Sequence, residues 1–549
     1  TQDFFQDFEL RTLIKKMNDA FGVSLTVDEP DSDQKNLDLA KHCITLADSA
    51  ALRTLLKEIQ HSQTPIALSA SWESDQNVPS GFGLGRDPSH GNSAWFPYSY
   101  LDDEETLNAF KQFLQREEGV IGHGLKELIR ALLTAKLPVP EIIMDTEVAA
   151  YLLNPSRNSY LLFDLLQEYA KLSVETGSDI QDGQLDLGSP GEPSMQQQAI
   201  EAASISLLYE PLESLIEEEG LQKLNNEIEV PLIYVLAEME YTGIQVDVNG
   251  LKNLRNQLEN EVIDARVRIH ELAGQEFNVN STKQLQQVLF TDLSLEPRKK
   301  TKTGFSTDAQ TLEKMKDDHP IIEKLLEYRE VEKLRSTYGQ GLLNEVDDDR
   351  RIRATFHQTV TVTGRLSSVS PNLHNIPVRT EKGKVFREVF IAKKNHKLLV
   401  ADYNQIELRC IAHLSSDVGL INAFNNGQDI HTATAARVFG VNDSEVTKAQ
   451  REKAKMVSYG LAYGMEAYGL AQRLGIENKE AAKILNDYFA AFPSVKDYMD
   501  KAVNEAKERG YTETLFGRKR KIPELKSSNS RVRNAAERQA MNAGIQGLA

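Results

Sequence analysis

The chain has 549 residues, of which 40% are hydrophobic and 26% charged, a composition that suits roughly two to four packed domains and excludes a mainly disordered chain. Its two cysteines, Cys43 and Cys410, are too few and too far apart for a disulfide framework or a zinc site, which favours a reducing compartment. The sequence shows no apolar run of about twenty residues and no leader pattern, so we expect neither a membrane span nor a signal peptide.

The net charge of -18 is unevenly distributed along the chain. Residues 1–250 carry 16 Lys and Arg against 42 Asp and Glu, whereas residues 251–549 carry 47 against 39. Two segments, 351–400 and 501–549, are strongly basic, as contacts with phosphate require. Each basic segment taken alone is equally compatible with a solvated surface. The asymmetry predicts different functions for the two parts of the chain.

Residues 1–172 alternate strand-like apolar runs with helical periodicity, an α/β pattern. The strands are predicted at 65–69 and 94–98, and the helices at 107–114 and 125–133. Residues 173–198 are rich in Gly, Ser, Asp and Gln and are predicted to form an inserted loop. A helical segment to about residue 220 follows this loop.

A second region of the sequence is predicted to begin near residue 226, just before the segment "VPLIYVLAEMEYTGIQVD". Residues 249–345 have the charged, amphipathic pattern of long helices, broken by the polar stretch "EPRKKTKTGFSTDAQ", and predict a helical arm. From residue 351 the pattern indicates short strands and turns. An apolar, strand-like run "KLLVADY" comes next, and mostly helical sequence follows from residue 429.

The apolar run ends at Asp402, within "KLLVADYNQIELR". A carboxylate at the end of a strand lies at a sheet edge, where a metal ion or a phosphate reaches it, but an isolated Asp is more often a turn or cap residue. Gln405, Ile406 and Glu407 begin a helical stretch directly after it.

A second motif, "QREKAKMVSYGLAYG", places Arg451, Lys455 and Tyr459 at i, i+4 and i+8, which is one face of a helix. Two cations so placed bind a triphosphate, and an aromatic ring stacks on a base. The alternative is an ordinary solvated helix face with a half-buried tyrosine. The Tyr-Gly pairs at 459/460 and 463/464 weaken that alternative, because each Gly costs a helix about 1 kcal/mol relative to Ala.

Two further segments carry polar side chains suited to nucleic acid. The loop "TVTGRLSSVSPNLHNIP" sets Arg365 among small hydroxyl residues, with Asn372 and Asn375 near its proline-bounded end. Such donors suit phosphate, sugar or minor-groove contacts, although a loop of this kind taken alone is more often a plain surface loop. The segment "ERQAMNAGIQG" presents a polar helical stripe composed of Arg538, Asn542 and Gln546.

In their order along the chain, which starts with the Arg365 loop, the four segments resemble the motifs of bacterial family A DNA polymerases, the DNA polymerase I type in its large-fragment form. The resemblance runs from about residue 230 to 549 and is weaker over residues 1–225. It implies an α/β and α+β multidomain fold, in which a ribonuclease-H-like 3′-5′ exonuclease-type domain (1–225) precedes a right-hand polymerase domain (226–549). Within the latter we expect the thumb at about 249–350, the fingers at about 426–529, and the palm at about 226–248, 351–425 and 530–549.

The resemblance also implies DNA-templated synthesis by two-metal phosphoryl transfer with two Mg²⁺ ions, from deoxynucleoside triphosphates onto primer-template DNA. Asp402 and the Tyr403 carbonyl would hold the metal. Arg451 and Lys455 would act as catalytic residues that bind the incoming triphosphate. The expected nucleotide-binding residues are Gln405, Ile406, Glu407, His431, Arg451, Lys455 and Tyr459, with Glu407 excluding a ribose 2′-hydroxyl. The expected DNA contacts are Arg365, Asn372, Asn375, Tyr463, Arg538, Asn542 and Gln546.

One residue of the nucleotide set differs from many relatives. Tyr459 stands where many family members have Phe, and in the family a Tyr there is associated with acceptance of dideoxynucleotides. We therefore expect ready incorporation of chain terminators.

The proofreading motifs of the family are not recognisable. The strand where the family has Asp-x-Glu reads "PIALSASWES", and the second motif place has Gly124 and Leu128 instead of Asn and Asp. The third place, "QAIEAASISLL", has Gln198, Ala202 and Ser204 at the expected Tyr and acids. Asp145 in "DTEVAAYLLNP" is interpreted as a helix cap. We therefore predict an inactive nuclease fold that serves as a scaffold.

The family continues about sixty residues beyond Ala549 and supplies a second metal carboxylate there, so a chain ending at Ala549 is expected to bind DNA with little or no synthesis. A truncated piece of an active polymerase is the preferred interpretation. A non-catalytic primer-template binding protein is the alternative. We expect a monomer without a membrane partner, working in the cytoplasm at the bacterial nucleoid in replication and repair, including gap filling and processing of Okazaki fragments.

Overall fold

The computed structural model of the chain describes residues 35–72, 78–86, 89–174, 195–301, 304–377, 381–462 and 464–549. These residues fall into two compact units. The first unit consists of the described residues within Thr1–Ala237, Gln358–Arg365 and Tyr403–Ala549, and the second of those within Glu238–His357 and Leu366–Asp402. The chain therefore leaves the first unit and returns to it twice. The boundaries expected for palm, thumb and fingers stay predictions.

The N-terminal part of the first unit is built on strands. They are β1 (Lys35–Asn36), β2 (Cys43–Thr45), β3 (Ile66–Ser71), β4 (Gly81–Gly85), β5 (Ser93–Pro97), β6 (Val120–Gly122), β7 (Ile142–Asp145) and β8 (Leu172–Ser173). Six of them form one sheet in the order β2-β5-β4-β3-β6-β7, in which β4 is antiparallel to both neighbours and the remaining pairs are parallel. The predicted strands at 65–69 and 94–98 are confirmed as β3 and β5.

Six helices accompany these strands in the described part of this region. They are α1 (Ser49–Ile59), α2 (Glu104–Leu114), α3 (Leu125–Thr134), α4 (Thr146–Leu153), α5 (Leu162–Tyr169) and α6 (Met195–Glu218). The two predicted helices are confirmed as α2 and α3. Most of the predicted inserted loop lies outside the described residues, but its end at 195–198 is wrong, because helix α6 already begins at Met195.

Helix α6 approaches the sheet closely because β4 has the sequence "GFGLG". A Cβ atom on Gly85 would lie 2.3 Å from the carbonyl oxygen of Ala202 on α6. A side chain at this position would push the helix off the sheet, so the glycine is required for the close packing.

Apolar side chains cover both faces of the sheet. Phe82 and Phe96 pack with Phe110 and Phe113 of α2 on one face, with neighbouring ring centroids 5.0 to 5.9 Å apart. Trp95 points to the opposite face and packs in a second core that includes α4 and α6, as strand alternation requires. Burying each such aromatic side chain contributes roughly 1.5–3 kcal/mol.

Helices α7 (Gln222–Leu224) and α8 (Val230–Thr242) follow, joined by a π-helical turn over Asn225–Glu229. The second unit then contains the helical arm. Its helices are α9 (Val248–Ala273), α10 (Thr282–Gln287), α11 (Ala309–Glu313), α12 (Pro320–Lys333), α13 (Gly341–Asn344) and α14 (Glu381–Glu388). Two-residue strands, β10 (Lys300–Thr301) and β11 (Gly304–Phe305), pair within the predicted polar stretch.

Helices α9 and α12 confirm the two long helices predicted for the arm, and they pack along each other. The start of α9 is fixed by Asp247, whose carboxylate accepts a hydrogen bond from the Gly250 amide, and its end by Gly274 at φ 69°. A π-helical turn over Leu334–Gln340 interrupts the second helix between α12 and α13.

Short strands carry the chain through residues 351–369, as predicted. Strand β12 (Arg351–Ile352) pairs with β9 (Ile244–Gln245), and β13 (Thr355–His357) pairs with β14 (Ser367–Val369). Both pairs belong to the second unit.

The apolar run "KLLVADY" does not form the predicted strand. Residues 396–403 have neither helix nor strand, and Leu399 and Val400 are 93% and 88% exposed. An apolar run becomes a strand only where another strand binds its backbone amides and carbonyls, and none of the strands in the described ranges pairs with it. The prediction failed because apolar composition alone does not provide a pairing partner.

The last part of the first unit is helical, as predicted. Its helices are α15 (Ile406–Ser415), α16 (Val418–Asn425), α17 (Ile430–Phe439), α18 (Lys448–Ala462), α19 (Ala467–Leu474), α20 (Asn478–Ala491), α21 (Pro493–Arg509) and α22 (Ser530–Leu548). A hairpin of β15 (Tyr511–Glu513) and β16 (Lys519–Lys521) precedes α22. Across the described ranges, no helix combines the length and apolar character needed to cross a membrane.

Candidate functional site

The predicted cationic stripe lies on helix α18. Arg451, Lys455 and Tyr459 are all within Lys448–Ala462, so their spacing of four residues places them on one face. Arg451 is partly exposed, Lys455 is exposed and Tyr459 is half-buried. The helix therefore offers two accessible cations beside a partly sheltered aromatic ring.

Arg451 is held by an acid that the sequence reading did not single out. Its Nε donates to Asp429 Oδ2 at 2.6 Å, and its Nη1 lies 3.6 Å from Glu452 Oε1. Asp429 also caps α17, accepting from the His431 amide and from Thr432 Oγ1. The hydrogen bond from Arg451 is the main reason that the pKa of Asp429 falls to about 2. Asp429 stays ionised at neutral pH and orients the guanidinium.

His431, on α17, lies against the aromatic end of the stripe. Its ring is 5.5 Å from the ring of Tyr459, and the residue is only 4% exposed. Burial lowers its pKa, so the imidazole is neutral near pH 7. Its Nδ1 is buried and finds no hydrogen-bond partner among the described residues. A buried ring nitrogen without a hydrogen-bond partner is energetically unfavourable. A polar ligand that forms a hydrogen bond with it therefore stabilises the site.

Glu407, on the first turn of α15, meets the polar loop predicted from sequence. Arg365 Nη2 donates to Glu407 Oε1 at 2.7 Å, and the glutamate side chain is 13% exposed whereas that of Arg365 is 47% exposed. Helix α15 starts at Ile406 after Gln405, whose φ of 55° turns the chain sharply. The pKa of Tyr459 is raised by burial and, secondarily, by the charge of Glu407. Its hydroxyl therefore remains protonated at neutral pH and able to donate.

The predicted polar stripe near the C terminus lies on α22, as expected. Arg538 Nη1 donates to Glu466 Oε1 at 2.7 Å, and Asn542 lies beside Gly464, with its Oδ1 buried and without a described hydrogen-bond partner. Gln546 is partly exposed one helical turn further on. Tyr463 lies outside the described residues.

Helix α22 also meets the Arg365 loop. A Cβ on Gly547 would lie 3.4 Å from the carbonyl oxygen of Thr363. Gln546 precedes that glycine by one residue, and Arg365 follows that threonine by two. The two residues therefore lie in the same neighbourhood of the first unit.

Of the remaining predicted site residues, Asn372, Asn375 and Asp402 belong to the second unit, and Tyr403 begins the last segment of the first unit. Asn372 and Asn375 are exposed at the two ends of a short 3-10 turn, and the Asn375 carbonyl accepts from the Tyr338 hydroxyl. Asp402 is exposed in the irregular segment described above, and Tyr403 is 79% exposed. The Asp402 carboxylate and the Tyr403 carbonyl are oxygen ligands of the kind that Mg²⁺ prefers. Within the described ranges, however, no three His, Cys, Asp or Glu side chains group closely enough to hold a metal ion.

The region where proofreading carboxylates were sought contains a cavity of about 460 Å³. Ser69, Gly124 and Leu128 line it, together with three acids that the sequence reading missed, namely Glu127, Asp164 and Glu201. Burial raises the pKa of Glu201 to about 7. No local pattern pointed to these acids, because they reach the lining of one cavity from three helices, α3, α5 and α6, that are distant in sequence.

Asp145 does not line this cavity. Its carboxylate accepts from the amides of Glu147 and Val148 at the start of α4, and from those of Gly124 and Leu125 at the start of α3. The predicted capping role is confirmed, and the residue caps two helices instead of one.

Comparison with known proteins identifies relatives of most of the chain. Residues 248–549 match the profile of DNA polymerase family A. DNA polymerase I of Geobacillus stearothermophilus is 44% identical over 411 residues, covering 74% of this chain and 47% of the relative. DNA polymerase I of Mycobacterium tuberculosis strain H37Rv is 42% identical over 453 residues, covering 82% of this chain and 50% of the relative. The chain spans about half the length of the curated relatives it matches.

A similar solved structure is the polymerase domain of Pol1 from M. smegmatis, in complex with DNA primer-template and dNTP. The two structures superpose with a TM-score of 0.82 at 36% sequence identity. The match covers 92% of this chain and 86% of the other.

Proposed function

Because the chain belongs to DNA polymerase family A, we propose that it is the polymerase portion of a DNA-directed DNA polymerase that adds deoxynucleotides to a primer 3′-hydroxyl. The observation that carries the proposal is the cluster on the first unit. There the cations of α18 lie with buried His431, half-buried Tyr459 and the Glu407–Arg365 ion pair. Relatives at 42–44% identity are DNA polymerases, and the similar solved structure is a complex with primer-template and dNTP.

In this proposal the α18 face binds the incoming triphosphate. Lys455 and the Nη groups of Arg451 meet the phosphates, because the Arg451 Nε already binds Asp429. His431 offers its unpaired ring nitrogen to the same anion. Gln405 and Ile406 line the approach to Glu407. The Glu407 side chain, fixed by Arg365, fills the position that a ribose 2′-hydroxyl would need.

Divalent metal ions are used by the family, and Mg²⁺ is the proposed cofactor. When bound, two such ions would activate the primer hydroxyl and neutralise the charge that develops at the phosphate. Asp402 and the Tyr403 carbonyl are the residues of this chain proposed to hold them. Primer-template DNA would be bound by Arg365, Asn372, Asn375, Tyr463, Arg538, Asn542 and Gln546.

Primer extension tests the proposed function. A labelled primer annealed to a longer template is incubated with Mg²⁺ and all four deoxynucleotides. The assay uses this 549-residue chain and, in parallel, a fusion to the C-terminal segment of the Geobacillus stearothermophilus relative. Template-dependent extension by either protein supports the proposal.

Binding of primer-template without extension by either protein would contradict the proposal and favour the second candidate, a non-catalytic binding protein. The observation that keeps this candidate in consideration is that Asp402 belongs to no metal-ligand group among the described residues.

We further propose that the N-terminal sheet has a ribonuclease-H-like exonuclease fold without nuclease activity. The cavity acids Glu127, Asp164 and Glu201 support this view, because the described residues do not combine them into a metal site.

Replacing Asp145 by Ala is expected to lower the free energy of unfolding by about 2–4 kcal/mol, because two helix N-termini lose a buried acceptor. Urea denaturation followed by circular dichroism measures the change. The same variant and the parent chain should both leave the 3′ end of single-stranded DNA intact in Mg²⁺. Degradation by the parent chain that disappears in Asp145→Ala would contradict the inactive-nuclease proposal.

Replacing Tyr459 by Phe is expected to reduce incorporation of dideoxynucleotides roughly five- to tenfold relative to deoxynucleotides, since one hydrogen bond to the nucleotide contributes about 1–1.5 kcal/mol. Natural nucleotides keep their 3′-hydroxyl and should be incorporated as before. Competition between the two nucleotide types in primer extension measures the ratio. Tyr468→Phe, which changes a 67% exposed tyrosine on α19, is the control. An unchanged ratio in Tyr459→Phe would refute this role.

The biological setting follows from the proposed reaction. We place the protein at the bacterial nucleoid as a monomer that acts in gap filling, Okazaki fragment processing and other steps of DNA replication and repair.

A further inference from the structure

We propose that helix α4 of the N-terminal sheet region positions the DNA-contacting loop, residues 358–365, through Glu147 and Tyr151. The inference rests on the proposed function, because it assigns the loop to primer-template binding. It gives the N-terminal sheet region a role in binding the primer-template DNA. All the groups involved belong to the first unit.

Two residues of helix α4 form hydrogen bonds with two residues of the loop, and the spacing within each pair brings the partners opposite each other. Glu147 and Tyr151 are four residues apart on α4 and therefore share a helix face. Their partners, Thr359 and Thr361, are two residues apart in the loop. Thr359 Oγ1 donates to Glu147 Oε1 at 2.7 Å, and the Tyr151 hydroxyl donates to the Thr361 carbonyl oxygen at 2.7 Å.

The Tyr151 contact continues to Arg365. Thr361 Oγ1 donates to the Arg365 carbonyl oxygen at 2.6 Å, so one residue connects the buried tyrosine to the backbone of the DNA-contacting arginine. Tyr151 is fully buried, and its ring packs edge-on against Tyr160. A side chain so constrained can fix the position of the loop.

Arg518 reinforces the same anchor. Its guanidinium lies 5.6 Å from the Tyr151 ring centroid, with Nη1 3.4 Å from the Tyr151 hydroxyl, and it forms a buried ion pair with Glu229. At the far end of the loop, Gly364 has a φ of 83°, and a Cβ there would lie 2.6 Å from Arg518 Nε.

Glu229 holds the start of the loop. Gln358 Nε2 donates to the Glu229 backbone carbonyl at 2.9 Å and also to its side chain. The loop is thus hydrogen-bonded at residues 358, 359 and 361 and closely packed at residue 364, and the side chain of Arg365 at its end is 47% exposed.

The inference predicts that removing the Tyr151 hydroxyl weakens DNA binding through Arg365. Primer-template affinity is measured by fluorescence anisotropy at fixed salt for the full chain, Tyr151→Phe, Arg365→Ala and the double variant. Tyr151→Phe is expected to raise the Kd about fivefold in the parent background and to have no further effect when Arg365 is already Ala. Such non-additivity is the signature of a residue that acts through another.

Tyr160→Phe is the matched control. It removes a buried hydroxyl from the same region, but this hydroxyl donates to the Asn154 carbonyl and not to the loop. Its Kd should equal that of the parent chain. A second pair guards against misfolding of the tyrosine variant: Thr359→Ala should weaken binding, whereas Thr359→Ser, which keeps the hydroxyl, should restore it.

Three results would overturn the positioning role: parent-like affinity in Tyr151→Phe, equal weakening in both Arg365 backgrounds, or equal weakening by Tyr160→Phe. Failure of the parent chain to bind primer-template at all would instead overturn the proposed function together with this inference.

Discussion

Replacing Asp402 by Asn is expected to lower the rate of primer extension on the order of 10³-fold or more, because the loss of metal-mediated charge stabilisation costs several kcal/mol in the transition state. The substitution would keep the size of the side chain but remove the charge that binds the cation. Asp402 is exposed, so its loss should leave the fold intact. Single-turnover extension, in the form of the chain that extends primers, measures the rate.

The control for this variant is Asp348→Asn. Asp348 is an exposed acid in a turn of the second unit, which also contains Asp402, so the change in net charge is the same. It should extend primers at the parent rate. Primer-template Kd should be unchanged within about threefold in both variants. Near-parent extension by Asp402→Asn would refute the metal-binding role of Asp402.

Replacing Lys455 by Ala is expected to lower kcat/KM for every deoxynucleotide roughly 10²-fold, since a charge-assisted hydrogen bond contributes about 1.5–3 kcal/mol. Lys455 is exposed on the α18 face, so the variant should remain as stable as the parent chain. Steady-state kinetics over a range of nucleotide concentrations measures the change. Because the triphosphate is common to all four nucleotides, the four losses should be equal.

Two variants of the same helix separate this role from general charge effects. Lys453 binds Glu480 at 2.8 Å on another face of α18, so Lys453→Ala removes the same charge without touching the proposed phosphate site and should have parent kinetics. Lys455→Arg keeps the charge and should recover part of the activity. A similar loss in Lys453→Ala and Lys455→Ala would show that only the net charge of α18 matters.

The orientation of Arg451 could not be read from its motif. The spacing of four residues predicted that Arg451 and Lys455 share a helix face, and it does so because helical periodicity is local. The acid that holds Arg451 comes from position 429, on a different element. A contact over 22 residues depends on how α17 and α18 pack, which local pattern does not determine.

Local patterns also explain why most helices were predicted correctly and why the strand predicted at 397–402 did not form. Helix α9 has both its apolar period and its caps, Asp247 and Gly274, within the segment itself. The run at 397–402 is apolar, yet a strand also needs a neighbour that binds its backbone, and no described strand does so. Helices satisfy their hydrogen bonds internally, so sequence predicts them better than strands.

Residues close together in the chain were enough to predict the family resemblance, the stripes on α18 and α22, and the capping role of Asp145. Each depends on residue identity and short spacing. In contrast, the folded structure was needed to find that Arg365 meets Glu407, that three acids line one cavity, and that the Tyr151 hydroxyl bonds to Thr361. The Tyr151 contact joins residues 210 positions apart, and such contacts arise from the packing of whole elements, which is not encoded in any single segment.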